Sequence, residues 1–192
     1  MSGGRMRQPY HHGDLRRALL TAATEAIVEA GPAALSLRDL ARRVGVSHAA
    51  PAHHFGDKTG LLTAIAAEGL ELLAGALEAA GGDILATGQA YIRFAVTHRA
   101  HFEVMFQPSL LHAEAPELVA ARQRAGQALS DSLTDPRVTD GVADQARLAA
   151  WSIAHGFATL WLAGALPPDL GGDAPDAAAP VLRLLFEHPP AT

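Results

Sequence analysis

The chain has 192 residues, 49% hydrophobic and 18% charged, so it can bury a core, and global disorder is excluded. It has no cysteine, which excludes disulfides, thiolate metal sites and a cysteine nucleophile. The net charge of −5 hides an asymmetry: residues 1–60 hold eight Lys/Arg and five Asp/Glu, and the remainder holds seven and fifteen. A basic N-terminal part is typical of a phosphate-binding domain attached to another domain, although such a surplus also arises by chance.

Helical patterns dominate, because no sustained period-two alternation occurs and Ala and Leu outnumber the β-branched residues. Apolar residues spaced by four predict a first helix over 14–30, which Gly31-Pro32 stops. Ser36 is a good N-cap for a second helix over 37–44, and Gly45 makes the turn after it. Ser47 is predicted to cap a third helix that runs to about residue 54.

The remaining pattern is also helical. Asp57 is predicted to cap a long fourth helix from residue 58 towards 80, and Gly81-Gly82 ends it. Further helices are predicted over 83–99, 101–107, 114–132, 140–166 and 176–187. No apolar stretch approaches the roughly 20 residues of a membrane span. The polar, Gly-rich start is not typical of a signal peptide, so we expect a cytoplasmic protein with no membrane partner.

The stretch from Ser36 to Ser47 follows the helix-turn-helix plan of a helix, a tight glycine turn and a capped helix. Leu37, Leu40 and Ala41 would pack the first of these helices on the core. The glycine tolerates a left-handed backbone. The second helix would then lie in the major groove of DNA.

Here the chain resembles the TetR family of bacterial regulators. The resemblance is carried by Val-Gly-Val-Ser-His-Ala-Ala at 44–50 and by His-His-Phe-Gly-Asp-Lys-Thr-Gly-Leu-Leu at 53–62, within a match over roughly 14–73. It implies an all-α fold, in which an N-terminal three-helix helix-turn-helix domain (12–58) is joined by a long helix to a helical ligand-binding and dimerisation domain (59–192). The implied partner is a double-stranded DNA operator, and the expected function is that of a repressor released by a small molecule.

The resemblance also implies which residues meet DNA: Ser36, Arg38, Ser47, His48, Ala49, Ala52, His53, His54 and Lys58. Arg5, Arg7, Tyr10 and His11 could form an arm with further contacts, or a solvated tail. The chain departs from the family at Pro51-Ala52, where a bulky apolar residue and Tyr are usual. Pro51 falls in or just beyond the first helical turn, where the lost N–H costs least. Without a phenol at Ala52, we expect DNA binding weaker by on the order of 1 kcal/mol.

Aromatic residues concentrate at 91–106, and Trp151, His155 and Gly156 follow. This half resembles a TetR subgroup with a Trp-His-Gly signature, whose last two long helices, here 140–166 and 176–187, form a homodimer interface. The candidate pocket residues for an unknown effector are Phe94, His98, Phe102, Met105, Phe106, Trp151 and His155. An aromatic stripe of this kind is also typical of ordinary core, and His155 could simply bond a buried carbonyl.

Ten histidines raise the question of a metal, but adjacent histidines on a helix diverge by about 100 degrees. We therefore expect no metal and no cofactor. A small helical enzyme is the main alternative, and it lacks a recognisable nucleophile or phosphate loop, so no enzyme activity is expected. The other alternative is a helical ligand-binding or adaptor protein that has lost DNA binding, for which Ala52 is the only hint.

Overall fold

The computed structural model describes residues 12–132 and 140–186. Over these two ranges the chain forms helices and no strand, so the all-α prediction is confirmed. The helices are α1 His12–Ala34, α2 Leu37–Val44, α3 Ala50–Phe55, α4 Lys58–Ala79, α5 Ile84–Thr97, α6 Arg99–Met105, α7 Pro116–Ser132, α8 Asp140–Leu162 and α9 Ala174–Phe186. Short 3-10 turns occur at Pro108–Leu110 and Pro168–Leu170.

The first helix breaks where the sequence predicts. Gly31 has φ 79° and ψ 162°, outside the helical region, and Pro32 follows it. The residues beyond this break form only a short helical extension before α2. The break redirects the chain, so that α2 packs back against α1.

Local capping chemistry defines the second helix. The Ser36 side chain accepts a hydrogen bond from the Asp39 N–H at 3.4 Å. At the other end, Gly45 has a left-handed φ of 75°. Its N–H donates to the Arg42 carbonyl at 3.3 Å, and the next N–H, of Val46, donates to the Ala41 carbonyl at 2.9 Å. This pair of bonds is a Schellman ending, so both predicted boundaries of α2 are correct.

The third helix begins later than predicted, and the N-cap role expected of Ser47 is wrong. The helix runs from Ala50 to Phe55, with Ala49 at its N-cap and no side-chain capping bond there. The cause is Pro51. In a helix capped by Ser47, Pro51 would lack the N–H that bonds the Ser47 carbonyl, and its ring would clash with that oxygen. The Ser47 carbonyl accepts instead from the Ala50 N–H at 3.0 Å, within a turn.

The fourth helix is the central element of the molecule. Asp57 caps it as predicted, accepting from the Gly60 N–H at 2.7 Å. Helices α5, α6 and α7 pack along α4. By length and apolar composition α4 would also suit a membrane span, which the sequence analysis overlooked, but 67% of that apolar window is buried inside the protein. Its hydropathy therefore reflects a core position.

The remaining helices follow the predicted order with shifted ends. Helix α8 stops at Leu162, short of the predicted residue 166, because a second Schellman pair closes it: Gly164 N–H to the Trp161 carbonyl at 2.9 Å and Ala165 N–H to the Leu160 carbonyl at 3.0 Å. One apolar core runs from Leu19 of α1 to Leu182 of α9. Helix α6 packs against both α1 and α4, and so connects the first helix to the central helix.

Candidate DNA-binding surface and ligand groove

Helices α1–α3, called the head from here on, hold the helix-turn-helix by a small core and one ion pair. Leu40 and Ala41 of α2 are buried at 1% and 0% exposure. On the surface, the Arg43 guanidinium donates to both carboxylate oxygens of Glu29, at 3.1 and 2.6 Å, and so connects α2 to α1. These hydrogen bonds lower the pKa of Glu29. The orientation of α2 on α1 is thus fixed by core and surface contacts together.

The turn before α3 and the outer face of α3 form an exposed surface, called the reading face here. Its members are exposed side chains that the sequence predicts for DNA contact: Ser47, His48, Ala49, Ala52 and His53. No acidic residue occurs between Val46 and Gly56. Two of the five are alanines, so a neighbouring molecule can approach the backbone closely. The structure therefore brings these five predicted residues together.

Three further predicted residues are partly buried: Ser36, His54 and Lys58. Arg38 is exposed on α2. Lys58 has a structural contact that the sequence analysis missed, because its ammonium donates to the Ala33 carbonyl at 2.7 Å. An ammonium has three donors, so two remain for a phosphate. The Gly60 N–H is already bonded to Asp57, so it is not among the backbone donors that could join Lys58.

The underside of α3 fixes the reading face on the protein. Pro51 is buried, in the first turn of the helix as predicted. Phe55 is packed against the core, and the Arg16 guanidinium lies 5.4 Å from its ring centre. The α3–α4 joint is tight: a Cβ on Gly60 would lie 2.0 Å from the Phe55 carbonyl oxygen. Only glycine fits there without a backbone shift.

The predicted arm residues Arg5, Arg7, Tyr10 and His11 lie outside the described residues.

An open groove of about 360 Å³ lies between α6 and α8. Of the seven predicted pocket residues it contains Phe102, Phe106 and His155. Its other lining residues, which the sequence analysis missed, are Arg99, Glu103, Thr159, Leu162 and Ala163. The rings of Phe102 and Phe106 have centres 5.1 and 4.5 Å from that of His155. The groove is thus an aromatic cleft with an imidazole in its wall.

A hydrogen-bonded chain behind the groove orients the imidazole. The Trp151 indole N–H donates to the Tyr91 hydroxyl at 3.2 Å, and that hydroxyl lies 2.9 Å from Nδ1 of His155. The ring of His155 thus bonds a phenol and not the buried carbonyl that the sequence analysis suggested as a partner. Burial raises the pKa of Tyr91 and lowers the pKa of His155, so both are neutral near pH 7.

The other predicted pocket residues lie elsewhere. Phe94 and Met105 are core side chains, exposed by 3% and 4%. His98 lines a separate cleft beside α1, with its ring 5.2 Å from that of Phe94. Trp151 is 37% exposed and does not line the groove, but its ring lies 6.3 Å from that of Phe106 and 6.2 Å from that of His155, centre to centre. The structure thus places three of the seven predicted residues in the groove, two in the core, one in a separate cleft and one beside the groove.

Helices α8 and α9 carry a large share of the exposed apolar surface. The exposed large apolar side chains on these two helices are Leu148, Trp151, Leu160, Val181 and Leu184. Leu184 is the most open of them, with 68% of its surface exposed. Several exposed large apolar side chains on two neighbouring helices are typical of an interface.

Two short helices joined by a tight glycine turn, attached to an all-helical body, are the architecture of helix-turn-helix regulators. A family model described as bacterial regulatory proteins of the tetR family matches residues 19–65, and one described as the tetracyclin repressor-like C-terminal domain matches residues 84–185. The second match alone covers more than half of the chain. The chain belongs to the TetR family, as the resemblance indicated.

Known relatives agree with this assignment. An HTH-type transcriptional repressor of Mycobacterium tuberculosis is 41% identical over 61 residues, which are 32% of this chain and 32% of that repressor. A Rhodococcus sp. RHA1 protein of unknown function is 33% identical over 94% of this chain and 98% of its own, with a TM-score of 0.77. The TetR family transcriptional regulator PfmR of Thermus thermophilus is 26% identical over 88% and 97%, with a TM-score of 0.69.

Proposed function

We propose that the chain is a homodimeric, cytoplasmic transcriptional repressor that binds a double-stranded operator through its reading face and is released by a small molecule. In this proposal residues 12–58 bind DNA, and residues 59–192 bind the effector and dimerise. The observation that carries it is the reading face itself: exposed, free of carboxylates, and held by Pro51, Phe55 and Gly60 on its inner side. Neither the enzyme nor the adaptor alternative is favoured by a comparable feature.

The apolar surface of α8 and α9 supports the dimer. A second copy on that surface would bury side chains such as Leu148 and Leu184, which are 59% and 68% exposed. Two heads on one dimer would meet successive major-groove faces of a near-palindromic operator. Affinity would then depend on salt, because basic side chains displace counterions from the phosphates.

The position of α6 supports coupling between the groove and the head. This helix carries Phe102 on the groove side, Phe106 follows at its C-cap, and the helix packs against α1 and α4. The contact with α4 is close, since a Cβ on Gly69 would lie 2.8 Å from Cβ of His101. A ligand that moves α6 would therefore move the helices that position α3. Such release requires tighter binding of the ligand to the DNA-free protein.

The test for DNA binding uses one substitution at two exposed alanines. Ala52→Glu places a carboxylate on the reading face, where it would oppose DNA phosphates, and we expect operator affinity to fall by at least about tenfold. Ala120→Glu makes the same change at an exposed position of α7, outside the head, and should leave operator affinity unchanged. Fluorescence anisotropy with a duplex from upstream of the chain's own gene measures both. Equal affinities for the two variants would contradict the proposal.

A further inference from the structure

We propose that the groove between α6 and α8 takes a flat, uncharged aromatic molecule whose carbonyl oxygen accepts a hydrogen bond from Nε2–H of His155. This inference rests on the effector part of the proposed function and specifies the chemical class of that effector. It follows from the direction of the hydrogen bonds behind the groove, from the aromatic walls and from the charge balance of the lining.

The hydrogen-bonded chain determines which imidazole nitrogen carries the proton. The Trp151 indole can only donate, so the Tyr91 oxygen accepts from it at 3.2 Å. Tyr91 is buried, with 2% exposure, so its hydroxyl hydrogen needs an acceptor. Nδ1 of His155, 2.9 Å away, is the acceptor that the described residues place within reach, and we therefore assign Nδ1 as unprotonated. A neutral imidazole with a bare Nδ1 carries its hydrogen on Nε2. The lower pKa that burial gives His155 agrees with this neutral form.

This Nε2–H is the donor that the imidazole offers to an occupant of the groove. Nδ1 is taken by Tyr91, and Nε2 has no partner among residues 12–132 and 140–186. The Thr159 hydroxyl, also in the lining, already donates to the His155 carbonyl at 2.8 Å. A ligand atom that meets the imidazole must therefore accept a hydrogen bond, and a carbonyl oxygen is the commonest neutral acceptor in the plane of a flat molecule.

The walls of the groove favour an aromatic ring without charge. Phe102 and Phe106 flank the imidazole, and their own ring centres are 5.3 Å apart. The two charged lining residues neutralise each other, because the Arg99 guanidinium donates to the Glu103 carboxylate at 2.7 Å. The lining therefore carries no net charge, and an ionic ligand would lie beside a charge of its own sign as well as one of the opposite sign. The volume of about 360 Å³ lies at the small end of the range for small-molecule pockets.

Two probes of similar shape test the assignment. Coumarin is a fused two-ring molecule with a lactone carbonyl, and naphthalene is a fused two-ring hydrocarbon without an acceptor. By calorimetry on the full-length chain we expect coumarin to bind about fivefold more tightly, the usual worth of one net hydrogen bond. His155→Phe keeps a ring but loses the N–H, so it should abolish the preference. Gln127→Ala, in a different cleft, should retain it.

Nitrogen NMR of ¹⁵N-histidine-labelled protein tests the tautomer without a ligand. The His155 resonances should show a bare Nδ1 and a protonated Nε2. A protonated Nδ1 would overturn the inference. So would equal affinity for the two probes, no binding of either, or a preference that survives in His155→Phe.

Operator binding, measured on the same preparations without probe, separates this inference from the proposed function. Protein that binds the operator but shows no coumarin preference would overturn only the ligand class. The opposite result is a wild-type protein that prefers coumarin and binds no operator, with the preference lost in His155→Phe. That result would support the groove assignment and contradict the proposed function.

Discussion

The joint between α3 and α4 offers a sharp test of the head structure. A Cβ on Gly60 would lie 2.0 Å from the Phe55 carbonyl oxygen, about 1 Å closer than real Cβ contacts allow. That carbonyl cannot swing away freely, because it also accepts from the Asp57 N–H at 3.0 Å. Gly60→Ala must therefore shift the backbone that joins the recognition helix to the central helix.

The expected change in the free energy of unfolding follows from two opposing contributions. Forced overpacking costs about 1–3 kcal/mol, and alanine gains up to about 1 kcal/mol over glycine by helix propensity. We expect Gly60→Ala to lower the free energy of unfolding by about 1–2 kcal/mol and to weaken operator binding. Gly75→Ala is the control in the same helix, where a Cβ would meet nothing within 4 Å. It should raise the free energy of unfolding by about 0.5–1 kcal/mol.

Urea unfolding at a fixed protomer concentration measures both changes, since stability of a dimer depends on concentration. Operator affinity by anisotropy gives the functional effect. If Gly60→Ala is as stable as Gly75→Ala and binds DNA like the wild type, the close contact at the joint does not exist.

Three other predictions have defined outcomes. Thr63→Val should lower the free energy of unfolding in urea by about 1–3 kcal/mol, because the Thr63 hydroxyl is buried and accepts a backbone N–H at 2.9 Å. Thr87→Val should leave that free energy unchanged or raise it, because the Thr87 hydroxyl is buried without a partner in the described structure. A larger loss of stability in Thr87→Val than in Thr63→Val would refute this. Leu184→Glu, on α9, should dissociate the dimer in sedimentation experiments. Leu72→Glu, at a 40% exposed position on α4, should not. If the Leu184→Glu dimer stays intact, the dimer interface does not include this part of α9. Ala52→Tyr should strengthen operator binding by about 1 kcal/mol, and unchanged or weaker binding would refute the phosphate contact.

Local chemistry accounts for what the sequence predicts well. The boundaries of α2 and the start of α4 depend on Ser36, Gly45 and Asp57, each of which acts within a few residues of itself. The error at Ser47 is also local. A good capping residue was weighed without the Pro51 ring four positions later, which excludes a helix from that cap.

The groove could be predicted only in part, because its chemistry depends on distant residues. Tyr91 bonds Trp151 and His155, which lie 60 and 64 positions further along the chain. Periodicity identifies an aromatic face, but it cannot tell Phe102 in the groove from Phe94 in the core. That difference comes from which neighbouring helix covers each side chain.

Binding of the wild-type chain to its upstream DNA, at two salt concentrations, would show whether the chain is a sequence-specific DNA-binding protein. The measurement compares this duplex with a scrambled duplex of equal length and includes the number of protomers bound. We expect two protomers per site, affinity that falls steeply with salt, and a preference over scrambled DNA of at least about a thousandfold. Equal binding to both duplexes, or none at low salt, would contradict the assignment of this chain as a DNA-binding regulator.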